Sequence, residues 1–127
     1  MTTPAPGTLA WFEVASDDPE GTQKFYGNLF DWTFESSGSL TNGGLDYRNI
    51  TASGADTPMG GVFGTGGKLP NHAVFYILVA DIDATCADAE QLGGSVINKS
   101  PARPGTPAFA YLRDPSGNQF GIFTPAS

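Results

Sequence analysis

Apolar and polar positions along the chain follow two periods that take turns. "TLAWFEVA" (Thr8 to Ala15) reads as a strand. Asp18 then stands as an N-cap with Pro19 at the first helical position, where its missing N–H costs nothing. The helix runs on through "EGTQKFYGNLF", with Phe25, Tyr26, Leu29 and Phe30 recurring at helical spacing as one apolar face. Three short strands separated by glycine-rich turns follow: "WTFESSG", "LDYRNIT" and "MGGVFG". The order then starts again. "HAVFYILVA" is a strand, and "DIDATCADAEQLGG" is a helix with Asp83 near its cap and Gly93-Gly94 as its stop. "SVINKS", "PAFAYLRD" and "NQFGIFT" complete the second set, with the tight turn "DPSG" before the last.

The plan is therefore strand, helix and three strands, written twice. It predicts an α+β fold of two βαβββ modules within one domain, 1–127, the first module about 8–65 and the second about 70–125. Each sheet carries a helix on one face. The other faces form cupped mixed sheets around a cleft.

Alternation along each strand separates the faces. Phe12/Val14, Phe75/Ile77/Val79 and Phe120/Ile122 are uniformly apolar rows, expected beneath the helices against Phe25, Leu29 and Leu92. The opposite rows mix aromatic, polar and glycine positions and suit a partly polar cleft. They hold Trp11 and Glu13, Met59, Gly61 and Phe63, His72, Val74 and Tyr76, and Gln119, Gly121 and Phe123. Alternation does not fix which way Trp32, Phe34, Tyr47, Phe109 and Tyr111 face.

Composition narrows the function. Apolar residues make up 39% of the chain and aromatics 12%, enough for a packed core. The net charge of −7 repels phosphate backbones, and the six basic residues form no cluster, so nucleic acid is not the expected partner. No apolar run reaches membrane-spanning length, and "MTTPAPGT" lacks the pattern of a secretion signal, so a cytoplasmic protein is the expectation. Cys86 is the single cysteine, read as a small buried apolar residue of the second helix. "GGVFGTGGK" lacks the Lys-Ser/Thr and following helix of a phosphate loop and reads as a strand end and linker. No serine sits in a nucleophile-elbow context.

"FYGNLFDW" after an Asp-capped start, "VADIDAT…LGG", and the closing "DPSGNQFGIF" carry a resemblance that spans about 9–124. The chain resembles the vicinal oxygen chelate superfamily, which includes glyoxalase I, bleomycin-resistance proteins and extradiol dioxygenases. Metal-dependent members place His, Glu or Gln ligands on the first, fourth, fifth and eighth strands. By the resemblance those positions fall at or near Trp11, Gly61, Val74 and Gly121, and none of these offers a side-chain donor. Glu13, His72 and Gln119 lie two residues away on the same rows, a displacement of about 6–7 Å along a strand. The resemblance thus implies no metal and no cofactor at these positions. It also implies a homodimer, since relatives with this fold are often homodimers.

The residue-level alternatives stay open. His72 is a general base or a rim residue making a surface hydrogen bond. Glu13, a carboxylate inside an apolar strand, binds a polar ligand group, acts as a base, or pairs structurally with Arg48 or Arg113. Trp11, Phe63, Tyr76 and Phe123 form an aromatic cleft that stacks a planar ligand, or belong to a core or subunit interface. Gly121 leaves room for a ligand close to the sheet. Together these residues, with Met59, Glu13, His72 and Gln119, describe a metal-free protein that binds a planar or aromatic metabolite or antibiotic. The rival readings are a lyase, isomerase or dioxygenase-like enzyme with Glu13 or His72 as catalytic candidates, and a structural or regulatory protein without a ligand.

Overall fold

A computed structural model describes residues 5–36, 46–101 and 107–125. Within them lie eight strands and two helices: β1 (Leu9–Ser16), α1 (Pro19–Phe30), β2 (Thr33–Ser36), β3 (Tyr47–Thr51), β4 (Gly60–Gly64), β5 (His72–Leu78), α2 (Ile82–Gln91), β6 (Ser95–Ser100), β7 (Phe109–Arg113) and β8 (Gln119–Phe123). This is the α+β, twice-repeated βαβββ order that the sequence pattern predicts. The chain forms two compact units, one of Trp11–Ala73 and one of Met1–Ala10 with Val74–Ser127.

In the unit Trp11–Ala73 the strand order is β2-β3-β4-β1. β1 and β4 run parallel, whereas β4 with β3 and β3 with β2 are antiparallel. α1 begins where Asp18 accepts a hydrogen bond from the Gly21 N–H at 3.0 Å, with Pro19 in the first turn. It ends at Asp31, which takes the left-handed conformation (φ 60°) and donates its N–H to the Gly27 carbonyl at 2.9 Å. The sheet-facing stripe of α1 is Gln23, Tyr26 and Gly27. Tyr26 stacks on Trp32 (centroids 5.4 Å apart), and Trp32 packs on Phe12. Phe34 lies beside Gly27. Arg48 reaches Glu20, Gln23 and Asp46 from the same side of the sheet, and the Asp46 and Glu20 contacts hold its guanidinium pKa up.

The expected helix-side core is only partly realised. Phe25 and Leu29 are 60% and 58% exposed, and no residue of α1 is buried. Helical period identifies an apolar stripe. The stripe that meets the sheet is instead the one carrying Tyr26, roughly 100° round the helix from Phe25.

The second unit repeats the plan with strand order β5-β8-β7-β6. β5 and β8 are parallel, and the other pairs antiparallel, with a register shift between Val96 and Asn98 in β6. Gly7 and Thr8 belong to this unit and bond to Leu78, the former donating its N–H and the latter accepting at its carbonyl. Asp81 caps α2 by accepting from the Ala84 N–H at 3.0 Å. Asp83 sits in the first turn, where a negative charge complements the helix dipole. Gly93 (φ +98°) turns the chain out of the helix, and the Gly94 N–H closes on the Ala89 carbonyl.

Ile82, Cys86 and Ala89 recur at helical spacing and press on Ala110, Leu112 and Ile122, with Ile77, Val79, Val96 and Phe120 around them. Full burial of side chains such as Leu112 and Ile122 stabilises by about 1.5–3 kcal/mol each. Leu92, expected in this core, is 79% exposed because it follows the last turn of the helix.

Candidate functional site

The face of each sheet turned away from its helix carries the same device. In the unit Trp11–Ala73, strand register places Glu13 of β1, Gly61 of β4 and Asn49 of β3 in one row. A Cβ at Gly61 would overlap the Tyr47 ring, so the glycine seats that ring against the sheet. The Tyr47 hydroxyl accepts a hydrogen bond from Trp11 Nε1 at 2.9 Å. Glu13 is 7% exposed in the same row, a buried carboxylate.

In the second unit, Tyr76 of β5, Gly121 of β8 and Tyr111 of β7 form the matching row. A Cβ at Gly121 would overlap the Tyr76 ring. The Tyr76 hydroxyl donates to the Tyr111 hydroxyl at 2.6 Å. Phe123 meets Tyr76 edge-on at 6.2 Å, and Phe109 meets Tyr111 edge-on at 5.6 Å. The open space expected over Gly121 is therefore filled by a side chain of the protein itself.

The residues singled out from the sequence distribute as follows. Trp11, Glu13 and Phe63 share the helix-averted face of the first sheet, joined by Tyr47. Met59 is half-buried just before β4, its N–H donating to the Ile50 carbonyl. His72 stands at the start of β5, edge-on to Phe63 at 6.5 Å, with Nδ1 2.8 Å from the Pro70 carbonyl. Tyr76, Gly121 and Phe123 cluster in the second unit, where Gln119 lies opposite Arg113 at the start of β8. Tyr47 and Tyr111, whose facing the sequence leaves open, prove to be central. Trp32 and Phe34 turn to the helix side.

These residues do not suit a divalent metal. Trp11 and Gly61 in the first unit, and Val74 and Gly121 in the second, carry no ligating side chain, and tyrosine rings cover both glycines. Among the described residues no three His, Cys, Asp or Glu side chains are grouped to hold an ion. No described helix is long and apolar enough to cross a membrane.

Residues 8–122 match the family described as the Glyoxalase/Bleomycin resistance protein/Dioxygenase superfamily. The chain belongs to this superfamily. CFP32 of Mycobacterium tuberculosis (strain CDC 1551 / Oshkosh), named as a candidate glyoxylase, is 36% identical over 126 residues, covering 94% of this chain and 45% of that protein. The anthracycline biosynthesis protein DauV of Streptomyces sp. (strain C5) is 31% identical over 134 residues, covering 97% of this chain and 49% of that protein. The chain thus spans just under half the length of these curated relatives. Among solved structures, the superfamily fold is shared with methylmalonyl-CoA epimerase from Mycobacterium tuberculosis (TM-score 0.63, 13% identity, 100% of this chain and 93% of that one). It is shared as well with the hypothetical protein BH1468 from Bacillus halodurans (TM-score 0.67, 12% identity, 94% and 95%).

Proposed function

We propose that this superfamily member binds a planar, aromatic small molecule without using a metal at the four strand positions. The observation that carries the reading is the pair of ring-covered glycines. Where a coordinating carboxylate would have to stand, Gly61 and Gly121 each support a tyrosine ring. An aromatic floor with hydroxyl groups favours stacking and hydrogen bonding over ion coordination. The resemblance to a protein named for anthracycline biosynthesis agrees in kind with such a ligand.

The test is a titration of an uncharged hydroxyanthraquinone, followed by tryptophan fluorescence, on protein purified without chelators and assayed for metal. Saturable quenching that weakens with Tyr47→Ala, from protein holding less than one ion per five chains, is the expected result. One tightly held divalent ion per chain would overturn the metal-free part. Absence of quenching together with no thermal stabilisation by the probe would favour a protein without a ligand, because a bound ligand stabilises by mass action.

A second reading is favoured by Glu13 alone. An enclosed carboxylate is suited to taking a proton from a bound substrate in a lyase or isomerase reaction. It requires turnover that is lost in Glu13→Gln while probe binding persists.

A further inference from the structure

A concavity of about 620 Å³ lies in the unit Trp11–Ala73, at the start of α1. That volume is within the range of small-molecule sites, about 300–1,000 Å³. Its wall includes Phe25 and Tyr26, whose rings stand at 85° with centroids 5.1 Å apart. Phe25 is 60% exposed although aromatic, and its wide exposure is the feature the core leaves unexplained. Ser16, Asp17, Asp18, Thr22, Asn71 and His72 supply the polar lining, and among the described residues no lysine or arginine takes part.

The carboxylates there, Asp17 and Asp18, present acceptors. Asp17 accepts from the Asn71 side-chain Nδ2 at 3.1 Å while its own N–H donates to Oδ1 of the same side chain at 2.9 Å, which fixes the rim. His72 Nδ1 faces the Pro70 carbonyl oxygen, which only accepts, so Nδ1 is the donor of that contact. The N-terminus of α1 itself is not the attraction. Its Gly21 N–H is taken by Asp18, and the Asp18 N–H by the Ser16 hydroxyl.

We propose that this groove is a binding site for an organic cation, an alkylated ammonium group on an apolar body, held by the exposed Phe25 ring, which stands edge to face with Tyr26, and by the Asp17 and Asp18 carboxylates. An exposed aromatic ring beside acidic groups is the chemistry that recognises quaternary ammonium. The net charge of −7 adds a long-range pull of the same sign. The proposal does not depend on what binds at the tyrosine-covered face.

The test is an NMR titration of the full chain with benzyltrimethylammonium, with uncharged benzyl alcohol as the control. Saturable shifts of the Gly21, Thr22 and Asn71 amides are expected with the cation and not with the alcohol. Phe25→Ala, which removes an exposed ring and leaves folding intact, weakens the cation by roughly two- to fivefold. Asp17→Asn weakens it as well, and Trp11→Phe leaves it unchanged. Equal response to the alcohol, shifts confined to Asn49 and Gly61, or unaltered affinity in both Phe25→Ala and Asp17→Asn would each overturn the assignment.

Discussion

Replacing Gly121 by alanine adds a single methyl group at the point where the sheet has least room for it. The new Cβ would overlap the Tyr76 ring, and the overlap includes Cγ, the root of the ring, so a swing of the hydroxyl end does not relieve it. Tyr76 is 5% exposed and cannot back away into solvent. Overpacking of this kind costs about 1–3 kcal/mol. Displacing the ring also loses its hydrogen bond to Tyr111, worth about 0.5–1.5 kcal/mol. Alanine recovers about 0.5–1 kcal/mol over glycine within a strand. The net expectation is a loss of about 2–3 kcal/mol, which lowers the urea midpoint by roughly 1–2 M. The decisive comparison is the same substitution in a Tyr76→Val background, measured by equilibrium denaturation. With the ring gone, Gly121→Ala should cost less than about 0.5 kcal/mol, a coupling of about 2 kcal/mol between the two sites. An equal cost in both backgrounds would refute the claim that the glycine exists to seat the ring.

Other expectations follow from single contacts. Asp18→Ala removes the N-cap of α1 and should destabilise by about 1 kcal/mol, read as a fall in Tm, while Asp83→Ala, which caps nothing, should change it far less. The Asp114 carboxyl is held below its ordinary value of 3.8 by the Asn118 side chain, then by the Asn118 N–H and those of Ser116 and Gly117. A depressed carboxyl stabilises fully above that value and loses the contribution as pH falls through its lower folded pKa, so wild type should lose more stability than Asp114→Ala between pH 5 and pH 2 in urea melts. Burial pushes the Cys86 thiol up, and the side chain is 2% exposed. Native protein should therefore react with a disulfide reagent far more slowly than urea-unfolded protein at the same pH.

Much of this fold is legible because its local signals are strong. Asp18-Pro19 opens α1 where the capping rule puts it, and the strands around Phe75 and Phe120 send Ile77, Val79 and Ile122 to the helix side as alternation requires. What the sequence hides is everything that depends on pairing across distance. Tyr76 and Gly121 meet only through the parallel register of β5 with β8, and Tyr47 covers Gly61 only through the antiparallel register of β3 with β4. The missing Cβ of Gly121 is visible in the sequence, but its occupant is not. A vacancy for a ligand and a seat for a tyrosine look the same in one dimension. Likewise Phe25 and Tyr26 are adjacent apolar residues on one helix, and only the position of Trp32 decides which turns inward.

The ring-on-glycine seats also constrain how this chain can change. Neither half can be altered alone: a side chain at Gly61 or Gly121 collides with a ring, and removing the ring first leaves a hole beneath it. A descendant that acquired a coordinating glutamate at either place would need two substitutions together, each deleterious without the other. The two tyrosines thus act as a ratchet, closing the shortest mutational road toward metal chemistry.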